Sequence, residues 1–462
     1  MTERHIPAGY PDTTESVRIV IESSEYWLRN NGDLAMLSVT VRRLRERWPG
    51  ARIGVLTDVP VLLRAYYPDV EGITVHDTDP WSGPSVLTDL VARLGPGVVG
   101  PCELGLLRSR VWLRQKRGAI RRRLHRWAIA HTGGGGGDAR SAATDAPPVR
   151  HAVHSGSAAA VRDASLLVVL GGGYITDSDA AQTHRVVSLM EYACDHHIPV
   201  AMVGQGIGPL EDPELCRRVA EVLPRVELVA LRERRRGPEI LERMGVSPVR
   251  SAVTGDDAVE LAYSVRSDRI GTDLGICLRD ATYAPVSASA SRTVGCVVRA
   301  TAEERQVTLV PLIIAEYRSQ DRRSTLPIVR EGRSVARPPR RYVIPERIAE
   351  QVSRCRVLVT GAYHLAVFAL SQGIPVVALS STVYYDDKFL GLADMFGEGL
   401  TPVRLDDPNL AVVLGSAVRA AWDSAEEIRE PLRARARAQI DSSRKMFERV
   451  SALIEPAGVG HR

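Results

Sequence analysis

Lysine is the scarcest charged residue in this sequence of 462 residues. Lysine and arginine together number 60, yet only Lys116, Lys388 and Lys445 are lysines. Such a bias usually reflects genomic composition, so a single arginine carries little functional information. A lysine is more informative, because arginine is the default cation of this chain.

Paired cysteines are also lacking. The six cysteines are Cys102, Cys194, Cys216, Cys277, Cys296 and Cys355. They are widely spaced and contain no CxxC motif, which excludes a typical disulfide framework or zinc site. We therefore predict that the protein binds neither a metal nor a cofactor. We also predict that it resides in a reducing compartment.

Long apolar runs are absent as well. The longest, at residues 166–170 and 375–379, have the length of strands and fall far short of the roughly 18 residues that a membrane span needs. The N-terminus has no apolar stretch after its first charged residues, so it does not resemble a secretory signal. These absences predict a soluble protein of the cytoplasm.

Positive charge is concentrated in one segment. The formal net charge is +5, and residues 108–126 contain nine arginines or lysines and no acidic residue. Without this segment the chain would be mildly acidic. Binding of nucleic acid over the whole surface is therefore excluded.

The first half of the chain predicts a parallel sheet. Residues 17–21 and 52–56 are typical of strands, and the helix between them, at 34–47, has apolar side chains at helical spacing and Asp33 as its cap. Further strands are predicted at 165–170, 200–203, 227–231 and 249–253. Strands that alternate with helices are typical of an open α/β sheet.

A segment without predicted strands interrupts this pattern at residues 95–161. It contains a basic helix, predicted at 108–130, and five consecutive glycines at 133–137. No strand leads into these glycines and no apolar helix follows them, so a flexible linker is a better interpretation than a phosphate-binding loop. We interpret the segment as an insert in an N-terminal domain that spans residues 1–260.

A second α/β unit follows. Strands are predicted at 274–278, 307–312, 357–360 and 375–380. They place a C-terminal Rossmann-like domain at 273–424, interrupted by an Arg-rich stretch at 316–342 that we interpret as a mobile loop. The chain ends in a helix within 425–462, and a final helix often crosses back to the first domain in two-lobed enzymes.

Glycines and acidic residues follow three strands of the first half. They are Gly172, Gly173, Tyr174, Gln205, Gly206, Asp256 and Asp257. Ligands of open α/β sheets bind at the carboxyl edge of the strands, so these residues are predicted to line a cleft. Tight turns between strand and helix remain the alternative for the glycines.

Three residues that could carry chemistry also follow strands. The fork of Arg232 suits phosphate or carboxylate, although an exposed arginine is the default in this chain. His364 lies in the first turn of a predicted helix, where the helix N-terminus attracts anions and lowers the pKa of an imidazole. A catalytic acid or base and a helix-capping histidine are equally good interpretations. The rarity of lysine favours a functional role for Lys388.

Taken together, these segments resemble the polysaccharide pyruvyl transferase family. The resemblance rests on NNGDLAM, the strand ends GGGY and GQGIGPL, LRE, TGDDAV, and the pattern H-x-A-x-x-A-x-x-x-G-I-P-V-V that begins at His364. These motifs occur in the family's order over roughly residues 17–390. The basic insert and the stretch at 316–342 fall outside the resemblance.

The resemblance implies a fold and a reaction. The expected fold is α/β, with two Rossmann-like domains in a GT-B-like arrangement and a cleft between them. The expected reaction moves the pyruvyl group of phosphoenolpyruvate onto two hydroxyls of a sugar in a glycan or glycan precursor. This reaction needs a proton donor for C3, and cationic or N–H groups for the carboxylate and phosphate.

Roles follow for residues at matching positions. His364 would be the catalytic acid or base, and Asp33 would orient an acceptor hydroxyl. The donor-binding residues would be Arg232, Lys388, Gly361 and Tyr363. The acceptor and cleft residues would be Asn31, Gly32, Gly172, Gly173, Tyr174, Gln205, Gly206, Asp256 and Asp257.

One position departs from the family pattern. An arginine usually stands two residues before the motif histidine, and here that position is Ala362. Another arginine, for example from residues 316–342, would have to supply the contact. The alternatives are a glycosyltransferase of the same architecture that uses a nucleotide sugar, and a non-catalytic scaffold that binds glycan or membrane.

The basic stretch at 108–126 suggests partners of its own. A solvated surface arm is the first interpretation, because Gly, Pro and Ser follow it. Peripheral contact with an anionic membrane is the second, and it would suit a lipid-linked acceptor at the inner membrane face. Nucleic acid is not an expected partner, since only two tryptophans, far apart in sequence, could stack on bases. The sequence does not fix the oligomeric state.

Overall fold

The structure is a computed structural model that describes residues 17–23, 25–109, 153–316 and 320–454, together with Trp112 and Lys116. Within these residues the chain forms two parallel β-sheets with helices packed against them. Most of the predicted basic helix and all of the glycine run lie outside the described residues.

The first sheet has eight strands in the order β3-β2-β1-β4-β6-β7-β8, with β5 paired to β6 beside this path. Its strands are β1 (Arg18–Glu22), β2 (Arg52–Leu56), β3 (Glu71–Ile73), β4 (Leu166–Val169), β5 (Gly172–Ile175), β6 (Val200–Ile207), β7 (Leu228–Leu231) and β8 (Ser251–Val253). All pairings are parallel, and strands such as β4 are buried along their whole length. This burial explains their continuous apolar sequences, because helices cover both faces of a parallel sheet.

Helices connect these strands. They are α1 (Asn31–Arg47), α2 (Pro60–Tyr66), α3 (Val86–Ala92), α4 (Ser155–Arg162), α5 (Ala180–Asp195), α6 (Pro213–Val222), α7 (Gly237–Arg243) and α8 (Ala258–Ser264). The cap of α1 is Asn30, whose side chain accepts a hydrogen bond from the Gly32 amide at 3.0 Å. The sequence predicted Asp33 for this role, but Asp33 lies inside the first helical turn.

The second sheet has five strands in the order β10-β9-β11-β12-β13. They are β9 (Asp273–Cys277), β10 (Leu309–Pro311), β11 (Cys355–Thr360), β12 (Val376–Ser380) and β13 (Leu400–Arg404). The helices of this part are α9 (Ala288–Glu304), α10 (Gln320–Val329), α11 (Pro345–Val352), α12 (Tyr363–Ser371), α13 (Val383–Phe396), α14 (Leu410–Ser424) and α15 (Arg429–Ser451).

One hydrophobic core joins the two sheets. It combines side chains of strands from both, such as Ile19 and Leu358, with the helices that lie between them, including α1, α8, α11 and α12. Two further cores cover the outer faces of the first and second sheet. The two sheets are therefore joined by a well-packed core.

Both ends of the predicted insert belong to the fold. Residues 96–109 are helical, and the carboxylate of Glu103 accepts hydrogen bonds from the amides of Val61 and Leu62 at the start of α2. At the other end, Ala160 and Val161 of α4 are fully buried. The sequence did not indicate that the two ends of the insert are packed into the protein, because a polar and glycine-rich stretch lies between them.

The interpretation of residues 316–342 as a mobile loop was wrong. This stretch contains α10, in which Asp321 and Thr325 are fully buried. Asp321 accepts hydrogen bonds from the backbone amides of Ile314 and Ala315, at 3.1 and 2.7 Å. A polar composition does not indicate a mobile loop here, because these polar side chains are paired inside the protein.

The last helix, α15, packs against elements of both parts of the chain: the first part, which contains the first sheet, and the second part, which contains the second sheet. It contacts α8 and β7 of the first part and α12 and α13 of the second. Arg444 donates a hydrogen bond to Glu260 at 2.6 Å, and the side chain of Arg433 donates to the Gln372 carbonyl oxygen at 2.9 Å. No described helix combines the length and apolar character that crossing a membrane requires.

Candidate active site

A cavity of about 260 Å³ opens where the carboxyl ends of the two sheets meet. From the first part it is lined by Glu25, Asn30, Asp33, Gly172, Gly173, Tyr174, Ser178, Asp179, Gln182 and Arg232. From the second part it is lined by Arg279, Tyr283, Ile314, Tyr363, His364, Tyr384, Tyr385 and Lys388. Five of these residues are tyrosines, although aromatic residues make up only 5% of the chain.

His364 is held at this edge by a rigid element. It is the second residue of α12, and all nine residues of this helix are buried. Between β11 and α12 the chain turns at Gly361 and Ala362, where the Ala362 amide donates to Thr360 Oγ1 at 3.0 Å. The position of the imidazole is therefore fixed by the core.

Gly32 leaves the space that His364 occupies. A Cβ atom at position 32 would lie 2.1 Å from His364 Nδ1, which no side chain could tolerate. Gly32 belongs to α1, so the first turn of that helix packs directly on the imidazole. The N-terminal motif and the histidine motif, more than 300 residues apart in the sequence, thus form one structural unit.

The electrostatic surroundings of His364 keep it neutral. Burial lowers the pKa of its imidazole well below the usual range, and the positive charges of Arg232, Lys388 and Arg279 lower it further. Nε2 is buried and has no hydrogen-bond partner among the described residues. A neutral imidazole with an unpartnered nitrogen is ready to exchange a proton with a ligand.

Asp256 lies between His364 and Arg232. Its Oδ2 atom is 3.7 Å from His364 Nε2 and 3.7 Å from Arg232 Nη1. Burial raises the pKa of the carboxyl to about 6, although the charge of Arg232 opposes the shift. Its Oδ1 atom accepts a hydrogen bond from the Ala258 amide at 3.0 Å, which fixes its orientation.

Arg232 directly follows β7 and is only 5% exposed. Its guanidinium carbon lies 4.2 Å from the centre of the Tyr363 ring, a cation–π geometry. A Cβ atom at Gly173 would come within 2.6 Å of Nη2, and one at Gly206 within 2.7 Å of Nε. Both glycines are therefore needed where the backbone passes close to the guanidinium.

Lys388 lies in α13 beside the same glycine. Its Nζ atom is 4.0 Å from the centre of the Tyr384 ring, and the hydroxyl of Tyr384 donates a hydrogen bond to the Gly173 carbonyl oxygen at 2.7 Å. Burial and the charge of Arg232 lower the pKa of the ammonium well below its usual value, and Asp33 opposes this shift. An anionic ligand would favour the charged form.

The carboxylates of the cavity wall all come from the first part. Glu25 accepts a hydrogen bond from the side chain of Arg29 at 2.6 Å. Asp179 caps α5, and burial raises the pKa of its carboxyl. Asp33 lies in the first turn of α1. The wall thus offers both acidic and cationic groups to a ligand.

Several predicted cleft residues support the site without lining it. Asn31 is buried, and its backbone N–H donates a hydrogen bond to the Ile314 carbonyl oxygen at 2.9 Å. Gln205 is also buried and donates from Nε2 to the Leu170 carbonyl oxygen at 2.8 Å. Gly206 lines a smaller neighbouring cavity that also contains Arg232 and Lys388.

Asp257 belongs to a different cluster from its neighbour in sequence. Its Oδ1 atom accepts hydrogen bonds from Arg43 at 3.1 Å and from Ser443 at 2.6 Å. Arg43 also pairs with Glu260, which in turn accepts from Arg444 at 2.6 Å. This cluster ties α1 and α8 to the final helix, so Asp257 lies in a structural ion network.

Sequence reasoning missed Arg279, although a signal was present. Arg279 follows β9 in the segment Leu278–Arg279–Asp280, just as Arg232 follows β7 in Leu231–Arg232–Glu233. The two strand ends thus have the same Leu-Arg-acid pattern. The other missed lining residues, including Glu25, Asp179, Gln182 and Tyr283, lie in loops and helix starts without any such pattern.

Metal ligands are not grouped in the part of the chain that the structure describes. No set of three or more His, Cys, Asp or Glu side chains there has the geometry of a metal site. The cavity therefore has to be understood from its cations, carboxylates and tyrosines.

Known structures share this architecture. The UDP-GlcNAc 2-epimerase from Neisseria meningitidis, solved with UDP-GlcNAc, is 11% identical with a TM-score of 0.52, over 95% of this chain and 100% of that one. The UDP-GlcNAc 2-epimerase from Methanocaldococcus jannaschii is 10% identical with a TM-score of 0.53, over 94% and 99%. This likeness confirms the predicted α/β fold with two Rossmann-like, GT-B-like domains.

The sequence comparison points to a family. No curated protein matches the chain closely enough to count as a relative. The family model described as polysaccharide pyruvyl transferase matches residues 30–382, which is most of the chain and includes the motifs around Gly32 and His364. The chain therefore belongs to the polysaccharide pyruvyl transferase family, as the resemblance predicted.

Proposed function

We propose that this transferase moves the pyruvyl group of phosphoenolpyruvate onto two hydroxyls of a sugar in a glycan or glycan precursor. The observation that carries the proposal is the buried cluster in which Arg232 and Lys388 surround a neutral, unpartnered His364. Phosphoenolpyruvate brings a carboxylate and a phosphate to such a cluster. Its charges would offset the repulsion among the buried cations.

The donor-binding groups lie at the ends of β7, β11 and β12. Arg232 offers its guanidinium fork, and Lys388 offers a point charge beside it. Tyr363 is the first residue of α12 and lines the cavity, at a helix start that favours an anion. Gly361 precedes this turn, and its amide is bonded to the Cys277 carbonyl oxygen, so it supports the donor site without lining it. Phosphate and carboxylate of one donor molecule can therefore be neutralised together.

His364 is proposed to protonate C3 of the donor. The imidazole is neutral in the empty site, and the charges of a bound donor raise its pKa, so it takes up a proton when the donor binds. Transfer of this proton converts the methylene carbon C3 into a methyl group and leaves C2 cation-like. The first sugar hydroxyl then attacks C2, and its proton returns to His364 or passes to Asp33.

Departure of phosphate completes the ketal. The bond between C2 and the phosphate oxygen breaks, the second hydroxyl forms a bond to C2, and its proton leaves with the phosphate. The products are the pyruvylated sugar and inorganic phosphate, so atoms and charge balance. Asp256, close to both His364 and Arg232, is positioned to hold these two side chains in place.

The acceptor is proposed to lie against the first part. Asp33, Asp179 and Gln182 present carboxylate and amide groups that suit sugar hydroxyls, beside Gly172 and Tyr174. On the other wall the rings of Tyr283 and Tyr385 are parallel, with centres 6.2 Å apart. Such rings offer an apolar face to the C–H side of a sugar.

A nucleotide sugar is the alternative donor. The observation that favours it is the fold, since the Neisseria enzyme was solved with UDP-GlcNAc and MnaA from S. aureus with UDP, the latter with a TM-score of 0.53 at 10% identity over 96% of this chain and 100% of that one. The absence of arginine at Ala362 also weakens the match to the pyruvyl donor. The cluster around His364 favours phosphoenolpyruvate.

Peripheral membrane contact through residues 108–126 is proposed for a lipid-linked acceptor at the inner membrane face. The adjoining described residues support it, since the large apolar side chains exposed there are Val86, Leu87, Leu90, Val91, Leu94, Val98, Leu106 and Trp112. Apolar side chains next to a basic stretch are typical of surfaces that bind anionic membranes. Co-sedimentation with phosphatidylserine vesicles, weakened by high salt, would support this contact. Equal recovery with neutral vesicles would refute it.

A donor screen tests the function directly. Thermal unfolding is followed with phosphoenolpyruvate, inorganic phosphate and UDP-GlcNAc. A ligand at 100 times its dissociation constant raises the free energy of unfolding by about 2.7 kcal/mol. Lys388→Gln should lose the shift caused by phosphoenolpyruvate. Lys445→Gln, on the exposed face of α15, is the matched control and should keep it. A shift with UDP-GlcNAc and none with phosphoenolpyruvate would favour the alternative donor.

A further inference from the structure

Arg279 is the third cation of the cavity wall, and its position mirrors that of Arg232. It follows β9 at the carboxyl edge of the second sheet, as Arg232 follows β7 in the first sheet. It is 8% exposed and lines the cavity. The two guanidinium groups thus approach one cavity from different sheets.

Asp321 fixes the orientation of Arg279. The guanidinium donates from Nε at 2.6 Å and from Nη2 at 3.1 Å to the two carboxylate oxygens. Asp321 is fully buried and is itself held by the amides of Ile314 and Ala315. This arrangement leaves Nη1 without a hydrogen-bond partner among the described residues, on a residue that lines the cavity.

Arg279 lies close in space to the position at which the family pattern has an arginine. The Gly361 amide donates to the Cys277 carbonyl oxygen at 2.9 Å, so the ends of β9 and β11 are in contact. A Cβ atom at Gly361 would lie 3.2 Å from the backbone nitrogen of Arg279. Arg279 therefore lies beside Gly361, one residue before Ala362, on the neighbouring strand end.

Arg279 is also absent from the lining of the smaller neighbouring cavity. Arg232 and Lys388 line both the main cavity and the smaller neighbouring one, which also contains Arg235 and Arg236. Arg279 lines the main cavity and not the smaller one. A leaving phosphate is best placed where cations continue beyond the site, which leaves Arg279 for the other acidic group of the donor.

We infer that Arg279 binds the carboxylate of the donor in place of the arginine that is missing at Ala362, and that Asp321 is its positioning residue. The inference rests on the proposed function. With Nε and one Nη2 hydrogen bonded to Asp321, the guanidinium still presents one N–H of Nη1 and the second N–H of Nη2 side by side. A carboxylate can accept such a pair with both of its oxygens. The segment at 316–342 thus contributes the carboxylate that orients the arginine.

Isothermal titration calorimetry of phosphoenolpyruvate and of inorganic phosphate tests the inference. Arg279→Gln should bind phosphoenolpyruvate about 10- to 100-fold more weakly, the loss expected for a charge-assisted contact. Its affinity for inorganic phosphate should stay as in the wild type. Arg279→Lys, which keeps the charge but loses the fork, should show an intermediate loss and guards against misfolding of the first variant.

Arg322→Gln is the matched control. Arg322 follows Asp321 in α10, is largely buried, and pairs with Glu316 at 3.2 Å away from the cavity. It should leave both affinities unchanged. Unchanged binding of phosphoenolpyruvate by Arg279→Gln would overturn the inference, and a parallel loss of phosphate affinity would assign Arg279 to the phosphate instead. A wild-type protein that binds no phosphoenolpyruvate would instead refute the proposed function, and the inference with it.

Discussion

Two buried clusters of charged residues lie at the junction of the two sheets, and adjacent aspartates belong one to each. Asp256 lies beside Arg232 and His364, which line the cavity, although Asp256 itself does not line it. Asp257 pairs with Arg43 and with Ser443 of the final helix. We call these the cavity cluster and the structural cluster.

The two clusters shift the pKa of their carboxyl groups in opposite directions. In the cavity cluster burial raises the pKa of Asp256 to about 6. In the structural cluster burial would raise the pKa of Glu260 as well, but hydrogen bonds and charges from Arg444, Arg43 and Arg42 lower it to about 2. The cavity cluster therefore carries charge at a cost in stability, which is typical of functional sites, and the structural cluster stabilises the fold.

The largest expected effect is on turnover. His364→Gln should lower the rate of phosphate release from phosphoenolpyruvate, in the presence of the sugar acceptor, by about 10²- to 10⁴-fold, because the proton donor is lost. The melting temperature should change little, since Gln fills a similar volume. Near-normal turnover would indicate that the buried histidine only packs against Gly32.

Gly32→Ala should have the next largest effect on turnover. Its new methyl group would overlap the imidazole of His364, and displacement of a catalytic group by about 1 Å costs on the order of 100-fold in rate. Gly105→Ala is the control, because a Cβ atom there meets nothing within 4 Å. Equal activity of both variants would show that the contact does not position His364.

The pH dependence of stability should separate the clusters. A raised pKa for Asp256 contributes stability that is fully present below about pH 4 and is lost as pH rises through about 6. The unfolding free energy of Asp256→Asn should therefore rise relative to that of the wild type as pH rises from about 4 to 6. A lowered pKa for Glu260 contributes stability that is present above about pH 4.5 and lost as pH falls towards 2. The unfolding free energy of Glu260→Gln should therefore fall relative to that of the wild type as pH rises from about 2 to 4.5.

Each difference should reach about 3 kcal/mol, from shifts of roughly two pKa units. Chemical denaturation at a series of pH values measures both. Differences of the same sign for the two variants would contradict the distinction between the clusters.

The smallest effect concerns one hydroxyl. Ser443 accepts from Arg43 at 2.8 Å and donates to Asp257 at 2.6 Å. Ser443→Ala should cost about 1 kcal/mol of unfolding free energy, the net value of a buried hydrogen bond, and leave ligand binding unchanged. Denaturant titration with and without phosphoenolpyruvate checks both parts. A weaker response to the ligand would show that the two clusters are coupled.

Periodicity was enough to predict much of the fold. The strands around residues 18–22, 52–56 and 166–169 follow from continuous apolar runs between helical patterns. Short strands such as Glu71–Ile73 and Leu400–Arg404 were missed, because three to five residues with polar members give no period. The helix Gln320–Val329 was missed for another reason, since its buried Asp321 is stabilised by partners that lie far away in the sequence.

The site was predictable where a residue belongs to a sequence motif that follows a strand. Asp33, Arg232, His364 and Lys388 line one cavity. The aspartates in TGDDAV could not be separated by sequence, because their different roles depend on side chains from α1, α12 and α15 that surround them. Arg279 was overlooked because arginine is so common in this chain.

Two arginines test the central claim most directly, since Arg232 and Arg43 are both almost fully buried but belong to different clusters. Thermal unfolding of Arg232→Met and Arg43→Met is measured with and without phosphoenolpyruvate. Arg232→Met should melt near the wild-type temperature and lose the shift caused by the ligand. Arg43→Met should be destabilised by about 3–5 kcal/mol and keep the shift, because it leaves Asp257 and Glu260 without their buried partner. A ligand shift that survives in Arg232→Met, or is lost in Arg43→Met, would contradict the account.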